Sequence, residues 1–431
     1  MERVKAAQLA GHAGERVLLA GWVHHARHLA QVAFLLLRDA SGIAQIVVED
    51  TGVRQQLQGL QSETVVEIVG VVVASQQAPG GFELHDPVIT VLGEAVDAPP
   101  FEMRRPELDG SLALLLDHAA VSLRHPRQRA GLAISAASLA GFRSALDNFG
   151  FIEIQTPKIV GAATESGANV FSIDYFGQPA YLAQSPQLYK QMMVGVFERV
   201  YETGPVFRAE PHDTVRHLAE YVSLDAELGF INDHRDVEAV VREVLAGMIA
   251  AVEARAVDAV RLLRIELPVV PSEIPRVHFH DAQQMIETAT GEQVVGEPDL
   301  APAHERWLGQ WARAEHGSEF LYVEGYPMAK RPFYTHPQPD RPEFSNSFDL
   351  LFRGLEVVTG GQRLHRYHDY LAVLEPSAQQ ALAGYLDAFR YGMPPHGGFA
   401  IGLERWTARL VGAANIRQVT AFPRDVKRLT P

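Results

Sequence analysis

Lys190 is the first residue that needs a chemical reason. In LAQSPQLYKQ (182–191) a Ser-Pro stop is followed by a turn or so of predicted helix that carries this lysine between Leu188 and Met192. An ammonium in such a setting is either solvated or turned inward onto an anion, because an unpaired buried charge is expensive. Three further stretches set charges among apolar residues. In VFRAEPHDTVRHLAEYVSLDAELGF (206–230), Arg208 and Glu210 alternate with apolar neighbours on a predicted strand and so share one face. A polar loop with Arg216 and His217 leads to a second strand, which brings Asp225 and Glu227 to one face as well. Such a hairpin can offer a guanidinium fork to phosphate and carboxylates to amines; taken alone, it fits cross-strand salt bridging on a solvated sheet equally well. In SFDLLFRGLEVVTGGQRLHRY (347–367), Asp349 and Glu356 are seven residues apart. A strand with one bend or bulge brings both to a shared divalent ion with oxygen-only ligands, which suits Mg2+ beside phosphates. Thr359 adds a hydroxyl, Gly360 and Gly361 leave room for backbone approach, and Arg363 follows. In PPHGGFAIGLERWTARLVG (394–412), a glycine-rich strand enters a helix that begins with Glu404 and Arg405, where an arginine can lie against a planar base or a phosphate. GGFAIG is not a P-loop, since the lysine and the serine or threonine of that motif are missing.

The elements that must position these groups fall into two parts. Residues 1–100 are rich in short strands: RVLLAGWV (16–23), VAFLLLRD (32–39) and GIAQIVVE (42–49), then a helix over 51–61, then two more strands. Three strands, a helix and two strands match a five-stranded oligonucleotide-binding (OB) barrel, and that order also fits another small barrel with no nucleic-acid role. Proline-bearing, charged text (DAPPFEMRRPELDGS) makes residues 101–120 a predicted hinge or linker. Residues 121–431 mix helices and strands without a βαβ repeat, so this part is read as α+β. Its first helix carries a stripe of Ile134, Leu139, Phe142, Leu146 and Phe149 and stops at Gly150. The chain has 431 residues, 47% hydrophobic and 21% charged, enough for a large core. No cysteine is present, which excludes disulfides and thiolate zinc. A net charge of -14 argues against coating nucleic acid by bulk electrostatics but permits a local basic groove. No secretory pattern or long apolar run is present, so a cytoplasmic, non-membrane protein is expected. Histidines such as His12, His278 and His336 have no metal-ligand spacing and are read as ordinary surface residues.

Together these stretches resemble the class II aminoacyl-tRNA synthetases, and within them the aspartyl enzymes of the compact archaeal and eukaryotic type. GFIEIQTPKIV (150–160) is similar to motif 1, FRAE with Arg216-His217 and the following strand to motif 2, and GLER to motif 3. The resemblance covers nearly the whole chain and implies an OB-fold anticodon-binding domain followed by an antiparallel sheet flanked by helices. It implies that Arg208 grips the α-phosphate of ATP, Glu210 meets the adenine amino group, Arg216 and His217 lie near the phosphates and the tRNA acceptor end, and Arg405 stacks on adenine. Arg208 and Arg405 would then be the catalytic pair, with Asp349, Glu356 and Thr359 holding Mg2+. Ser185, Gln187 and Asp225 would hold the α-ammonium end of L-aspartate, while Lys190 and Arg363 clamp its side-chain carboxylate. Glu165 lies in ATESGANVF (163–171), which resembles a mobile loop that closes over the amino acid. Pro157 is implied at the interface of a homodimer.

In the barrel, the resemblance makes Phe34 a platform for an anticodon base, Gln45 a reader of the central uridine and Arg27 a contact to the same loop. Family members restricted to tRNA(Asp) tend to carry a tryptophan after Gly-Trp-Val and a lysine between the last two barrel strands. Here His24 and Pro79 stand at those places, which implies the non-discriminating form that also aspartylates tRNA(Asn) for later amidation by an amidotransferase. An asparaginyl enzyme is the nearest rival, and a buried ammonium facing a neutral amide counts against it. A lysyl enzyme needs acidic residues where Lys190 and Arg363 stand. A retired synthetase kept as an RNA-binding protein is a rival of another class, expected to have lost a phosphate or magnesium residue.

Overall fold

The computed structural model describes residues 1–161 and 169–431. It divides into two compact units, residues 1–125 and 126–431.

The first unit is a closed barrel of β1 (Arg16–His28), β2 (Ala33–Arg38), β3 (Ile43–Val48), β4 (Val65–Ala74) and β5 (Phe82–Gly93), with α1 (Thr51–Gln58) between β3 and β4. The strands close in the order β1-β2-β3-β5-β4. Alternation puts Leu35, Leu37, Ala44 and Ile46 inside. It leaves Arg27, opposite Phe34 on β2, and Gln45, opposite Leu36, on the outer face. One bulge breaks the rule. The register of β1 against β2 shifts between Val23 and His25, so both Val23 and His24 turn inward.

The stretch expected to be a linker folds onto this unit. Phe101 and Met103 are buried, and Arg104 contacts the His25 ring at 3.1 Å. Two short helices follow, α2 (Leu112–Asp117) and α3 (Ala119–Ser122). α2 is capped by the Ser111 hydroxyl, which accepts from the Leu114 amide.

The second unit opens with α4 (Pro126–Asn148), β6 (Ile152–Glu153) and a small sheet of β7 (Ile159–Val160), β8 (Ser172–Tyr175) and β9 (Gln178–Leu182). Next come α5 (Gln187–Phe197), β10 (Arg199–Phe207), β11 (Glu220–Gly229), α6 (His234–Arg255), α7 (Val257–Leu263), β12 (Arg276–His278), α8 (Phe279–Thr290), α9 (Pro302–His316) and β13 (Phe320–Glu324). β14 (Ser347–Phe352), β15 (Leu355–Gln362), α10 (Tyr367–Val373), α11 (Pro376–Ala381), α12 (Ala383–Arg390), β16 (His396–Gly402) and α13 (Leu403–Val411) complete it. The large sheet runs β12-β13-β14-β15-β16-β11-β10-β6. It is antiparallel except for the parallel edge pairs β12 with β13 and β6 with β10.

Ile134, Phe142 and Leu146 of the expected α4 stripe are buried, but Phe149 lies past the helix end and is 37% exposed. α4 and α6 approach closely enough that a Cβ on Gly141 would meet Gly247 O and Met248 Cα at 2.6 Å. Their core takes Leu224, Ala226, Phe348, Leu350, Phe399 and Ile401 from one face of the sheet. By alternation Ser223, Asp225, Glu227, Asp349, Gly398 and Ala400 point to the other face, and a pocket opens there.

Candidate active site

The pocket is a cavity of about 400 Å³, and Lys190, Arg208, Glu210, Asp225, Asp349, Glu356, Arg363 and Arg405 all line it. At one end the charges are buried and mutually paired. Lys190, 1% exposed, donates to Asp225 Oδ1 at 2.9 Å and to the Phe399 carbonyl at 3.2 Å, and its Nζ lies 3.4 Å from Glu227 Oε2. Arg363 Nε donates to Glu227 Oε1 at 3.0 Å, its Nη2 donates to the Gly398 carbonyl at 3.1 Å, and the guanidinium lies over the Tyr334 ring. The two cations hold the Glu227 carboxyl below the usual carboxylate range against the opposing effect of burial. A Cβ on Gly398 would meet Glu227 Oε2 at 2.0 Å, so the close packing of β11 on β16 needs glycine there. Gln187 Oε1 accepts from Arg363 Nη2 at 3.5 Å, while its buried Nε2 has no hydrogen-bond acceptor among the described residues. That donor fits a ligand oxygen.

The opposite end is built from a hairpin. Asp349 and Glu356 do not share one strand: Asp349 on β14 pairs with Thr359 on β15, and a bulge at Leu350/Leu351 brings Glu356 opposite Leu351. Thr359 Oγ1 donates to Asp349 Oδ1 at 2.7 Å, and Arg331 Nη2 donates to the same oxygen at 3.1 Å. Arg405 Nη1 lies 3.4 Å from Glu356 Oε1. Arg208 and Glu210 fall just past the end of β10, although the Arg208 amide still bonds to the Ala219 carbonyl at 2.8 Å. Arg216 pairs with Glu305 at 3.6 Å, and the other oxygen of Glu305 accepts from the Glu356 amide. Burial and the Arg405 charge push the His217 imidazole down, so it is neutral near pH 7.

Burial pushes Glu356 up to about 7; Asp349 and Glu305 add to this, and Arg405 opposes it. The oxygen-only donors Asp349, Glu356 and Thr359 suit Mg2+, which binds the deprotonated carboxylate and so competes with the proton. The Mg2+ concentration that half-saturates this pocket is therefore expected to rise as pH falls below about 7, by up to tenfold per pH unit for one displaced proton. A midpoint flat from pH 8 to 6 in a magnesium titration would contradict a titrating Glu356 ligand.

The other expected residues divide as follows. Ser185 Oγ accepts from the Gln187 amide at 3.0 Å at the mouth of α5. Asp225 lines the pocket, and its carboxylate accepts from Lys190 and from the Ser223 hydroxyl, one contact on each oxygen. Glu165 lies outside the described residues. Pro157 is exposed between β6 and β7. On the barrel, Gln45 donates to Glu83 at 2.7 Å, and Pro79 is exposed in the β4–β5 connection. His24 faces the barrel interior. Because of the bulge it is 7% exposed, sits 3.3 Å from Arg38 and is pushed down to about 4 by burial and that guanidinium, so it presents no ring to a base. Sequence reading missed Arg331, which holds Asp349, and Glu305, which ties Arg216 to β15. The run Lys330-Arg331-Pro332 was the only local signal for the first, and α9 gave none for the second.

This sheet, with helices on one face and a charged pocket on the other, preceded by an OB barrel, is the architecture of a class II tRNA synthetase. The family model for tRNA synthetases class II (D, K and N) matches residues 111–426, and that for the OB-fold nucleic acid binding domain matches residues 17–92. The chain belongs to this aspartate, lysine and asparagine family of class II tRNA synthetases. It is 46% identical to the aspartate–tRNA(Asp/Asn) ligase of Deinococcus radiodurans, covering 100% of this chain and 99% of the relative. It is equally 46% identical to the ligase of that name from Thermus thermophilus, over 100% of both chains. Among solved structures, asparaginyl-tRNA synthetase from Pyrococcus horikoshii with asparaginyl-adenylate superposes with a TM-score of 0.93 at 30% identity, over 100% of both chains.

Proposed function

We propose that this protein attaches L-aspartate to tRNA(Asp) and also to tRNA(Asn), through an aspartyl-adenylate made from ATP. The observation that carries the amino-acid choice is the buried pair Lys190 and Arg363 at the closed end of the pocket. The fold alone does not separate aspartate from asparagine, since an asparaginyl enzyme superposes on the whole chain. The cations do: a side-chain carboxylate joins them as an anion, whereas an amide brings dipoles to charges already desolvated. Asp225 and Glu227 keep the two cations in place before substrate arrives.

An oxygen of the aspartate α-carboxylate bonds to the α-phosphorus of ATP, the bond to the bridging oxygen breaks, and pyrophosphate leaves. Arg208 offsets the approach of two anions, and the pocket keeps the reacting atoms in line. Mg2+, held by Asp349, Glu356 and Thr359, supplies charge neutralisation on the phosphates when bound. A hydroxyl of the terminal adenosine of tRNA then attacks the activated carbonyl and AMP leaves.

The barrel face of Arg27, Phe34 and Gln45 suits unstacked anticodon bases, with Phe34 as the stacking surface. Dual tRNA use follows from the two positions that offer no polar contact: inward-turned His24 and Pro79. Aspartyl-tRNA(Asn) would then be consumed by a tRNA-dependent amidation. Phe149, Ile152 and Ile159, exposed and near Pro157 along the chain, suit a homodimer interface. Among the described residues no helix is long and apolar enough to cross a membrane, and a cytoplasmic location is proposed.

The deciding experiment charges purified tRNA(Asp) and tRNA(Asn) with labelled aspartate and labelled asparagine. Aspartate is expected on both tRNAs and asparagine on neither. Aspartylation of tRNA(Asn) at less than about a hundredth of the tRNA(Asp) rate, roughly 2.7 kcal/mol, removes the dual specificity. Asparagine as the better substrate removes the whole assignment.

A further inference from the structure

We propose that His234, Glu238 and Glu324 form a site for a divalent transition-metal ion of the zinc class, on the helix-covered face of the large sheet. His234 and Glu238 are one turn apart at the start of α6, and Glu324 is the last residue of β13, on the face that carries Phe320 and Tyr322 into the core. Nothing in their spacing along the chain marks them as a set. Each offers a ligand atom, and the three atoms lie within 4.8 Å of one another. All three side chains are buried, at 6%, 1% and 8% exposure for His234, Glu238 and Glu324.

The ligand atoms meet chiefly one another, Glu324 interacting with both His234 and Glu238. Among the described residues Glu238 Oε1, Glu324 Oε1 and both ring nitrogens of His234 are buried with no well-formed hydrogen bond, and the approach of His234 Nε2 to Glu324 Oε2 is 3.5 Å. Arg276 Nε donates to Glu238 Oε2 at 2.9 Å and lies 3.2 Å from Glu324 Oε1 as an ion pair. It braces the pair from one side. Arg235, 64% exposed, is 3.9 Å from Glu324 Oε2. Burial and the neighbouring Glu324 push Glu238 up to about 8, so near pH 7 it takes up a proton, and a metal ion would replace that proton as the cation between the two carboxyls. One imidazole nitrogen with two carboxylate oxygens is a donor set for Zn2+, Co2+ or Mn2+, unlike the oxygen-only set beside the pocket.

The test uses full-length protein stripped of metal with a chelator and titrated with Co2+ in the absence of ATP. One equivalent is expected to produce visible absorption of low-coordinate, nitrogen-ligated cobalt. His234→Asn and Glu238→Gln are expected to lose that band, with binding weakened at least about tenfold, while Asp349→Asn keeps it. Zn2+ is expected to raise the melting temperature of the wild type and not that of Glu238→Gln, the near-isosteric variant that decides if His234→Asn fails to fold. No band in the wild type, a band that survives in Glu238→Gln, or one lost in Asp349→Asn overturns the site. A wild type that takes no metal beside a Glu238→Gln variant that is more stable at neutral pH overturns it in favour of a proton shared by the two carboxyls.

Discussion

Replacing Lys190 with leucine is expected to abolish aspartate-dependent pyrophosphate exchange, a fall of at least about 10³-fold or roughly 4 kcal/mol. Two losses coincide. The substrate carboxylate loses a buried cation, and Asp225 is left desolvated with the Ser223 hydroxyl and Glu227 with Arg363. Breaking a buried ion pair from one side lowers stability by about 3–5 kcal/mol, so a fall in melting temperature accompanies the kinetic effect. The double variant Lys190→Leu, Asp225→Asn separates them. Removing the orphaned charge is expected to recover part of the stability and none of the exchange activity. Exchange within about tenfold of wild type in the single variant, under 1.4 kcal/mol, contradicts the cation clamp.

Arg208→Gln is expected to lower the rate of adenylate formation by about 10²–10³-fold, the range for losing one preorganised group aimed at developing transition-state charge. Arg208 lies at the other end of the pocket from the buried cluster, near Glu210 and against the Tyr221 ring. The KM for aspartate should therefore change little, while the first-order rate at saturating aspartate and ATP falls. Single-turnover measurement checks this directly. A variant with unchanged rate and a raised aspartate KM would place Arg208 in amino-acid binding instead. Because its side chain is 38% exposed, the substitution leaves no buried charge behind, and the fold should keep its stability.

The chemistry was legible where it depends on short-range pattern. Alternation along β11 puts Asp225 and Glu227 on one side whatever lies above them, and the strand order of the barrel is written in its apolar runs. Lys190 was suspect because an ammonium between Leu188 and Met192 needs a partner, and none is available within its own helix. Which partner was not legible. Asp225 is 35 residues away and Arg363 is 136 from Glu227, so pairings of that reach exist only once β10, β11, β15 and β16 have closed into one sheet.

Local irregularity hid the rest. A bulge costs one residue of register, and that single residue sends His24 into the barrel core instead of out toward a base. The turn at Arg353 and Gly354 sets Asp349 and Glu356 on neighbouring strands rather than along one, and a bulge at Val357 of β15 shifts the register between them. Residue types and their period along the chain thus determined the barrel strands, the α+β character of the second part and the groups that bear charge, while the motif resemblance carried the family and the helix-flanked sheet. The tertiary structure alone decided which carboxylate holds which cation, that Arg331 and Glu305 join the site, and that His24 turns inward. Side-chain direction is set by the backbone a residue or two away, whereas pairing of desolvated charges depends on contacts that only chain closure creates.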